Sequence, residues 1–231
     1  MALKNWTILC DFDGTISVED VIDSLLDSFG QTGWRTLEHD WCAGRIGSRT
    51  CMTGQVALLD MSRDELNTHL DRLWIDRDFA AFVAEARSLN VPLHIVSDGV
   101  DYAIDRMLRR DGLDDLPLMA NHLLPGPAAR TWRLETPHQA PGCSAGVCKC
   151  AVAASARQRE RRVLLIGDGA SDFCVADRVD FVFAKNRLIE HCRTMGLPYL
   201  PINGFEDALA YLPQLVSGRL TSMRHMAALN A

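Results

Sequence analysis

The sequence predicts an α/β protein: a Rossmann-like parallel sheet covered by helices, interrupted after its first strand by an inserted helical block. Three observations carry this. Short apolar runs at about 6–10, 93–96, 163–166 and 181–183 alternate with stretches of helical periodicity. Residues 18–90 show helical spacing and almost no strand pattern. The first three of those runs each end in a small polar loop rich in Asp and Gly, as strands feeding one sheet edge do.

Taken in order, Trp6-Thr7-Ile8-Leu9-Cys10 is a buried strand that delivers the loop Asp11-Phe12-Asp13-Gly14-Thr15. Val21, Ile22, Leu25, Leu26 and Phe29 follow with helical spacing, and further helical patterns cover about 32–43, 48–60, 63–73 and 77–89. Ser62 and Glu65 have the spacing of a capping box ahead of one of them. From Pro92 the pattern becomes strand (about 93–96), the loop Ser97-Asp98-Gly99, then helix (about 101–111). A short strand near 118–121 runs into a Pro/Gly break at 125–127, and 130–134 can form one arm of a small hairpin. The strand at 163–166 is closed by Gly167-Asp168-Gly169-Ala170-Ser171-Asp172 and a helix. Short strands at 181–183 and 199–200 and helices at about 186–195 and 205–216 complete the alternation. Such alternation implies a parallel sheet buried on both faces. The predicted division is a core of residues 1–16 and 81–231 and a helical cap of residues 17–80. The tail at 217–231 has helical composition but weak periodicity and is assigned no role.

Composition narrows the function. Among 231 residues, 48% are apolar and 23% charged, an ordinary globular balance that excludes a disordered chain. Acidic residues outnumber basic ones, 30 to 24, for a net charge of −6, which opposes nucleic-acid binding and leaves no polybasic membrane anchor. No apolar run approaches the roughly 18 residues a bilayer span needs, and Asp11 and Asp13 interrupt what would be the apolar region of a secretory signal. The expectation is a cytoplasmic protein, monomer or homodimer, with a small-molecule partner.

The eight cysteines, at 10, 42, 51, 143, 148, 150, 174 and 192, sit mostly singly in apolar segments and are read as reduced thiols. Cys143, Cys148 and Cys150 with nearby His138 raise a zinc reading, but they lack paired Cys-x2-Cys arms, and packing thiols are favoured. Trp34 and Trp41 share a helical face and are assigned to the core of the helical block, with gripping of an apolar substrate tail as the alternative.

The chemistry lies in the strand-end loops. Asp11 and Asp168 both leave apolar strands and would converge at the carboxyl edge of the sheet. Two ionised carboxylates there are costly without a cation, and Mg2+ suits them, since it takes oxygen ligands and often binds through one or two carboxylates plus substrate phosphate. Ser97, the backbone N–H groups around Asp98 and Gly99, and the helix start after Ser97 can bind phosphate oxygens, and Lys149 adds a fixed positive charge. An aspartate nucleophile, a metal, hydroxyl and amide donors and a lysine make a phosphoryl-transfer set. Asp13, two residues from Asp11, can act as acid to a leaving alcohol and then as base for water.

These residues resemble the haloacid-dehalogenase-like superfamily of aspartate-nucleophile phosphatases, through four motifs in order: Asp11-Phe12-Asp13-Gly14-Thr15, Ser97, Lys149, and Gly167-Asp168-Gly169-Ala170-Ser171-Asp172. The resemblance implies that Asp11 is phosphorylated and that Asp13 is the acid/base, with its carbonyl reaching Mg2+. It makes Asp168 a direct metal ligand and Asp172 a support of the metal site, and it assigns phosphate to Ser97 and Lys149. The insertion is similar to the C1-type cap of the phosphoserine-phosphatase-like branch. The stretches 97–102 and 182–188 and the Cys-rich segment before Lys149 look like the branch of methionine-salvage phosphatases acting on 2-hydroxy-3-keto-5-methylthiopentenyl-1-phosphate.

Two departures bear on the substrate. Asp98 stands where the serine branch usually has glycine, adding negative charge near phosphate. Arg45 and Arg49 are the candidates for a cap arginine, and Asp20 for an acidic substrate contact. The resemblance thus implies a phosphatase for a small phosphorylated metabolite; phosphoserine is the alternative within enzymes, and an idle phosphate-binding module the alternative outside them.

Overall fold

The computed structural model describes residues 5–159 and 161–220. The first four residues of the predicted core and residues 221–231 of the tail lie outside the described residues. Seven strands form one sheet: β1 (Trp6–Cys10), β2 (Leu93–Val100), β3 (Leu118–Pro125), β4 (Trp132–Glu135), β5 (Arg162–Gly167), β6 (Phe181–Ala184) and β7 (Tyr199–Pro201). Their spatial order is β4-β3-β2-β1-β5-β6-β7. Only β3 and β4 pair antiparallel among them; the other neighbours are parallel.

Period-two alternation makes two cores from one sheet. Ile8, Cys10, Ile95, Ile166 and Phe183 face one side, where helices α5 (Phe79–Ser88), α6 (Asp101–Arg110) and α10 (Phe205–Val216) pack. Leu9, Val96, Leu165 and Val182 face the other, under α7 (Lys149–Gln158), α8 (Phe173–Ala176) and α9 (Asn186–Met195). On the first face the rings of Phe79 and Phe82 meet Phe205 at 4.8 and 5.1 Å, and all three are fully buried. Truncating such a ring costs about 3–5 kcal/mol.

Four helices lie between β1 and α5: α1 (Val21–Phe29), α2 (Trp34–Cys42), α3 (Ser48–Ala57) and α4 (Arg63–Leu70). An antiparallel bridge between Ser17 and Ile75 joins the chain where it leaves the sheet and where it returns. The capping box at α4 is formed: Glu65 N donates to Ser62 Oγ at 3.2 Å, and Ser62 N to Glu65 Oε2 at 2.7 Å. Among the described residues no helix is long and apolar enough to cross a membrane.

Two elements differ from the sequence reading. β3 does not stop near 121 but runs to Pro125, because β4 pairs with its second half from His122↔Glu135 to Pro125↔Trp132. β2 continues through Ser97-Asp98-Gly99 to Val100, with a register shift between Val96 and Val100. The helix predicted over about 101–111 does begin at Asp101, whose Oδ1 accepts from Tyr102 N and Leu123 N.

Candidate active site

Sheet register brings the loops together. Cys10 pairs with both Ile95 and Ile166, so Asp11 sits next to Gly167 and one step from Asp168. Asp11 N continues the ladder by donating to Ile166 O at 2.9 Å. This is the point where chain connections diverge to opposite sides of β1, the usual crevice of an open parallel sheet.

Asp11 is 4% exposed. Its Oδ1 accepts from Phe12 N at 2.8 Å, and its Oδ2 accepts from Ser171 Oγ at 3.2 Å. Lys149, at the first position of α7 and 3% exposed, places Nζ 2.6 Å from Asp11 Oδ2 and 2.6 Å from Asp172 Oδ1. Burial alone would lower the lysine pKa, but the Asp11 and Asp172 carboxylates outweigh it and raise the pKa, so the ammonium is held charged. Asp172 is fully buried, accepts from Asp168 N at 3.1 Å and Gly169 N at 3.4 Å, and is pushed up to about 7 by burial and then by Asp11.

Asp168 is engaged more loosely. Thr15 Oγ1 reaches its Oδ1 at 3.5 Å and Asn186 Nδ2 its Oδ2 at 3.4 Å, and burial followed by Asp11 raises its pKa. Gly14, with φ +66°, lets the first loop pass over it; a Cβ there would lie 2.7 Å from Asp168 Oδ2. One carboxylate oxygen from each of Asp11, Asp168 and Asp172 lies within 4.8 Å of the others. Three hard oxygen donors at that separation, one of them weakly bonded within the protein, fit Mg2+. Cys143, Cys148, Cys150 and His138 do not converge in this way among the described residues.

Asp13 faces the same crevice from the other side. Its Oδ1 accepts from Val21 N at 3.0 Å, and Ser97 Oγ lies 3.5 Å from its Oδ2. Burial, reinforced by Asp20, pushes its carboxyl well above the usual range, the direction that favours the protonated form. Ser97 is fully buried and accepts from Gly99 N at 2.9 Å.

The structure gives the remaining assigned residues different surroundings. Asp98, grouped with the phosphate-binding residues, has both carboxylate oxygens occupied: Ser48 Oγ donates to Oδ2 at 2.6 Å, and Val147 N to Oδ1 at 2.7 Å. Its side chain ties α3 to the core, while the phosphate reading rests on its backbone N–H. The Gly99 amide is likewise taken by Ser97 Oγ. Asp20 does line the cavity; it caps α1 by accepting from Asp23 N at 3.0 Å, and burial pushes it up to about 7. Arg45 and Arg49 do not line it. Arg45 is ion-paired with Asp40 on the surface, and Arg49 donates to Gln139 and to Cys143 O.

Other residues enter that sequence reasoning missed. Ser171 bridges Asp11 and Lys149, and Asn186, in the left-handed region at φ 44°, reaches Asp168. Both lie in stretches already singled out, so short polar residues beside the aspartates were the available signal. The cavity, about 230 Å³, is closed on its helical side by Ile22, Glu38, Trp41, Ser48, Met52 and Gln55. Trp41 thus lines the cavity while Trp34 is buried in the core.

Comparison with known proteins agrees with this geometry. The family described as haloacid dehalogenase-like hydrolase matches residues 8–177. A 2-hydroxy-3-keto-5-methylthiopentenyl-1-phosphate phosphatase of Geobacillus thermodenitrificans is 30% identical over 218 residues, covering 92% of this chain and 97% of the relative. One of the same name from Geobacillus kaustophilus matches at 30% over the same shares. Among solved structures, a phospho-aspartyl intermediate analogue of phosphoserine phosphatase superposes with a TM-score of 0.69 at 18% identity, covering 90% of this chain and 99% of that one.

Proposed function

The chain belongs to the haloacid dehalogenase-like hydrolase family, and from that premise we propose that it is a Mg2+-dependent phosphatase working through an aspartyl phosphate on Asp11. The observation that carries the reading is the meeting of Asp11, Asp168, Asp172 and Lys149 at one sheet edge, with Asp13, its pKa raised by burial, facing them. A Mg2+ ion held by Asp11, Asp168 and Asp172 would neutralise the carboxylates and polarise phosphoryl oxygens.

In the first step Asp11 attacks phosphorus, the P–O bond to the alcohol breaks, and Asp13 gives its proton to the leaving oxygen. Ser171 and Lys149, already bonded to Asp11, orient the nucleophile. Lys149 and Ser97 are positioned to take phosphoryl oxygens as charge develops. In the second step Asp13 takes a proton from water, the water oxygen attacks phosphorus, and Asp11 and inorganic phosphate are released. The four helices after β1 act as the cap that excludes bulk water.

For the substrate we take the small phosphorylated metabolite named for the relatives, 2-hydroxy-3-keto-5-methylthiopentenyl-1-phosphate, handled in the cytoplasm. The apolar flank of Ile22, Trp41 and Met52 suits its methylthio tail, and neither candidate cap arginine reaches the cavity to receive a phosphoserine carboxylate. The test is hydrolysis of p-nitrophenyl phosphate with Mg2+ and after chelation, beside Asp11→Asn, followed by a screen that includes phosphoserine and the enol phosphate. Metal-dependent release that disappears in Asp11→Asn is expected. Near-normal turnover in that variant would remove Asp11 as nucleophile.

A further inference from the structure

The cavity has a second polar centre, on its helical side, that the proposed mechanism leaves unused. Gln55 of α3 is 1% exposed, and its Nε2 donates to Glu38 Oε2 of α2 at 3.0 Å. The Cys42 thiol lies 3.4 Å from Glu38 Oε1, and Cys51 Sγ 3.9 Å from Oε2. Glu38 and Gln55 both line the cavity that holds Asp11, Asp13 and Ser97. A buried amide needs a partner, and here it spends its donor on fixing a carboxylate that faces the substrate space.

We infer that Glu38, held by Gln55, is a specificity-determining residue: its carboxylate accepts a hydrogen bond from a hydroxyl on the leaving group and turns away leaving groups that carry a carboxylate. This rests on the phosphatase reading and deepens it.

The surrounding charges point the same way. Asp20 and Asp23 line the same wall, and Arg187 is the one cation among the described lining residues. Arg187 is thus a single cation set against the Glu38, Asp20 and Asp23 carboxylates of the same cavity. An ionised carboxylate only accepts, so a hydroxyl completes the site while a second carboxylate meets like charge with no donor between them. Sites built to bond a hydroxyl discriminate strongly against analogues that cannot supply it.

Glycerol 3-phosphate and 3-phosphoglycerate make the test, since they differ chiefly by a hydroxymethyl group against a carboxylate. The readout is the ratio of their kcat/KM values in the full chain with Mg2+, in which any general change of the hydrolytic machinery cancels. The wild type should favour glycerol 3-phosphate by about tenfold or more, and Glu38→Gln should reduce that ratio by about tenfold, chiefly through KM. Glu38→Asp, which keeps the charge, should retain most of the preference. Should Glu38→Gln fail to fold, Gln55→Met carries the test, with the ratio moving toward unity as Glu38 loses its tether. A wild-type preference for 3-phosphoglycerate, or an unchanged ratio in a folded variant, overturns the inference. Failure of the wild type to hydrolyse even p-nitrophenyl phosphate is a separate result that removes the phosphatase reading underneath it.

Discussion

Gly99→Ala probes the acid–base role proposed for Asp13 without replacing a titratable group. A Cβ at position 99 would lie 2.2 Å from Asp13 Oδ2 and 3.0 Å from Ser97 Oγ. The carboxylate must retreat by about 0.8 Å to reach 3.0 Å, the closest approach real Cβ atoms show. Gly99 is not among the positive-φ glycines, so the backbone accepts alanine and the strain falls on the Asp13 side chain. Overpacking of this kind costs about 1–3 kcal/mol of stability. The effect on chemistry is larger, since a misplacement near 1 Å costs on the order of 100-fold, within the 10²–10⁴ that a positioned acid supplies. The assay compares kcat/KM, which covers steps through alcohol release, for an alkyl phosphate and for p-nitrophenyl phosphate. An alkoxide needs the proton from Asp13, whereas an acidic phenol leaves with little help. The alkyl substrate should lose about 100-fold and the aryl substrate less than about tenfold. Equal losses on both, or near-normal alkyl turnover with an unchanged melting temperature, would refute the role given to Asp13.

Three further outcomes follow from the geometry. Lys149→Met leaves Asp11 and Asp172 buried without their shared cation and should destabilise the protein by about 3–5 kcal/mol in urea unfolding, with added Mg2+ restoring more to the variant than to the wild type. Ser48→Ala removes a 2.6 Å bond to Asp98 and should cost about 1–2 kcal/mol while raising KM, because the contact joins the helical block to the core; an unchanged KM would argue that α3 is held elsewhere. Glu65, bonded by the Ser62 amide and hydroxyl and by Arg130, is lowered to about 2 from an ordinary 4.5, so its contribution is complete above about 4.5 and is lost as pH falls toward 2. Glu65→Gln should therefore melt below the wild type at pH 7, and the two melting temperatures should converge as the pH is lowered through that window.

The fold and the expected meeting of loops were legible for one reason: alternating strands and helices imply a parallel sheet, and loops leaving parallel strands share its carboxyl edge, so Asp11, Ser97 and Asp168 could be expected there from the pattern of apolar runs. Lys149, a lysine opening an apolar helix, and Asp172, in the loop after the strand at 163–166, were given their roles by family resemblance. What escaped the sequence depends on side-chain direction. A second carboxylate beside Ser97 reads as charge near phosphate, and only coordinates reveal that Ser48 and Val147 occupy both its oxygens. Arg45 and Arg49 are cap cations at plausible spacing, but surface partners claim them. The pairing of Glu38 with Gln55 joins two helices whose mutual register no local pattern encodes. Element ends at β2 and β3 were misjudged because a register shift and a late antiparallel partner set them, and both are non-local.

The charge balance of the crevice explains why these parts occur together. Burial and Asp20 raise the Asp13 pKa, and the Asp98 charge is spent on Ser48 and the Val147 amide. That leaves Asp11, Asp168 and Asp172 around one ammonium, Lys149, which bonds the first and the last and leaves Asp168 with contacts no shorter than 3.4 Å. A phosphate monoester approaching Asp11 adds further negative charge, and like charges at this separation in a buried site repel by several kcal/mol. A divalent cation held by Asp11 and Asp168 would remove the excess on both sides of the proposed reaction, whereas a second lysine there would cover Asp11 and block its proposed attack. The arrangement therefore favours a removable metal over another fixed side chain, and it predicts that binding of Mg2+ and of substrate phosphate reinforce each other.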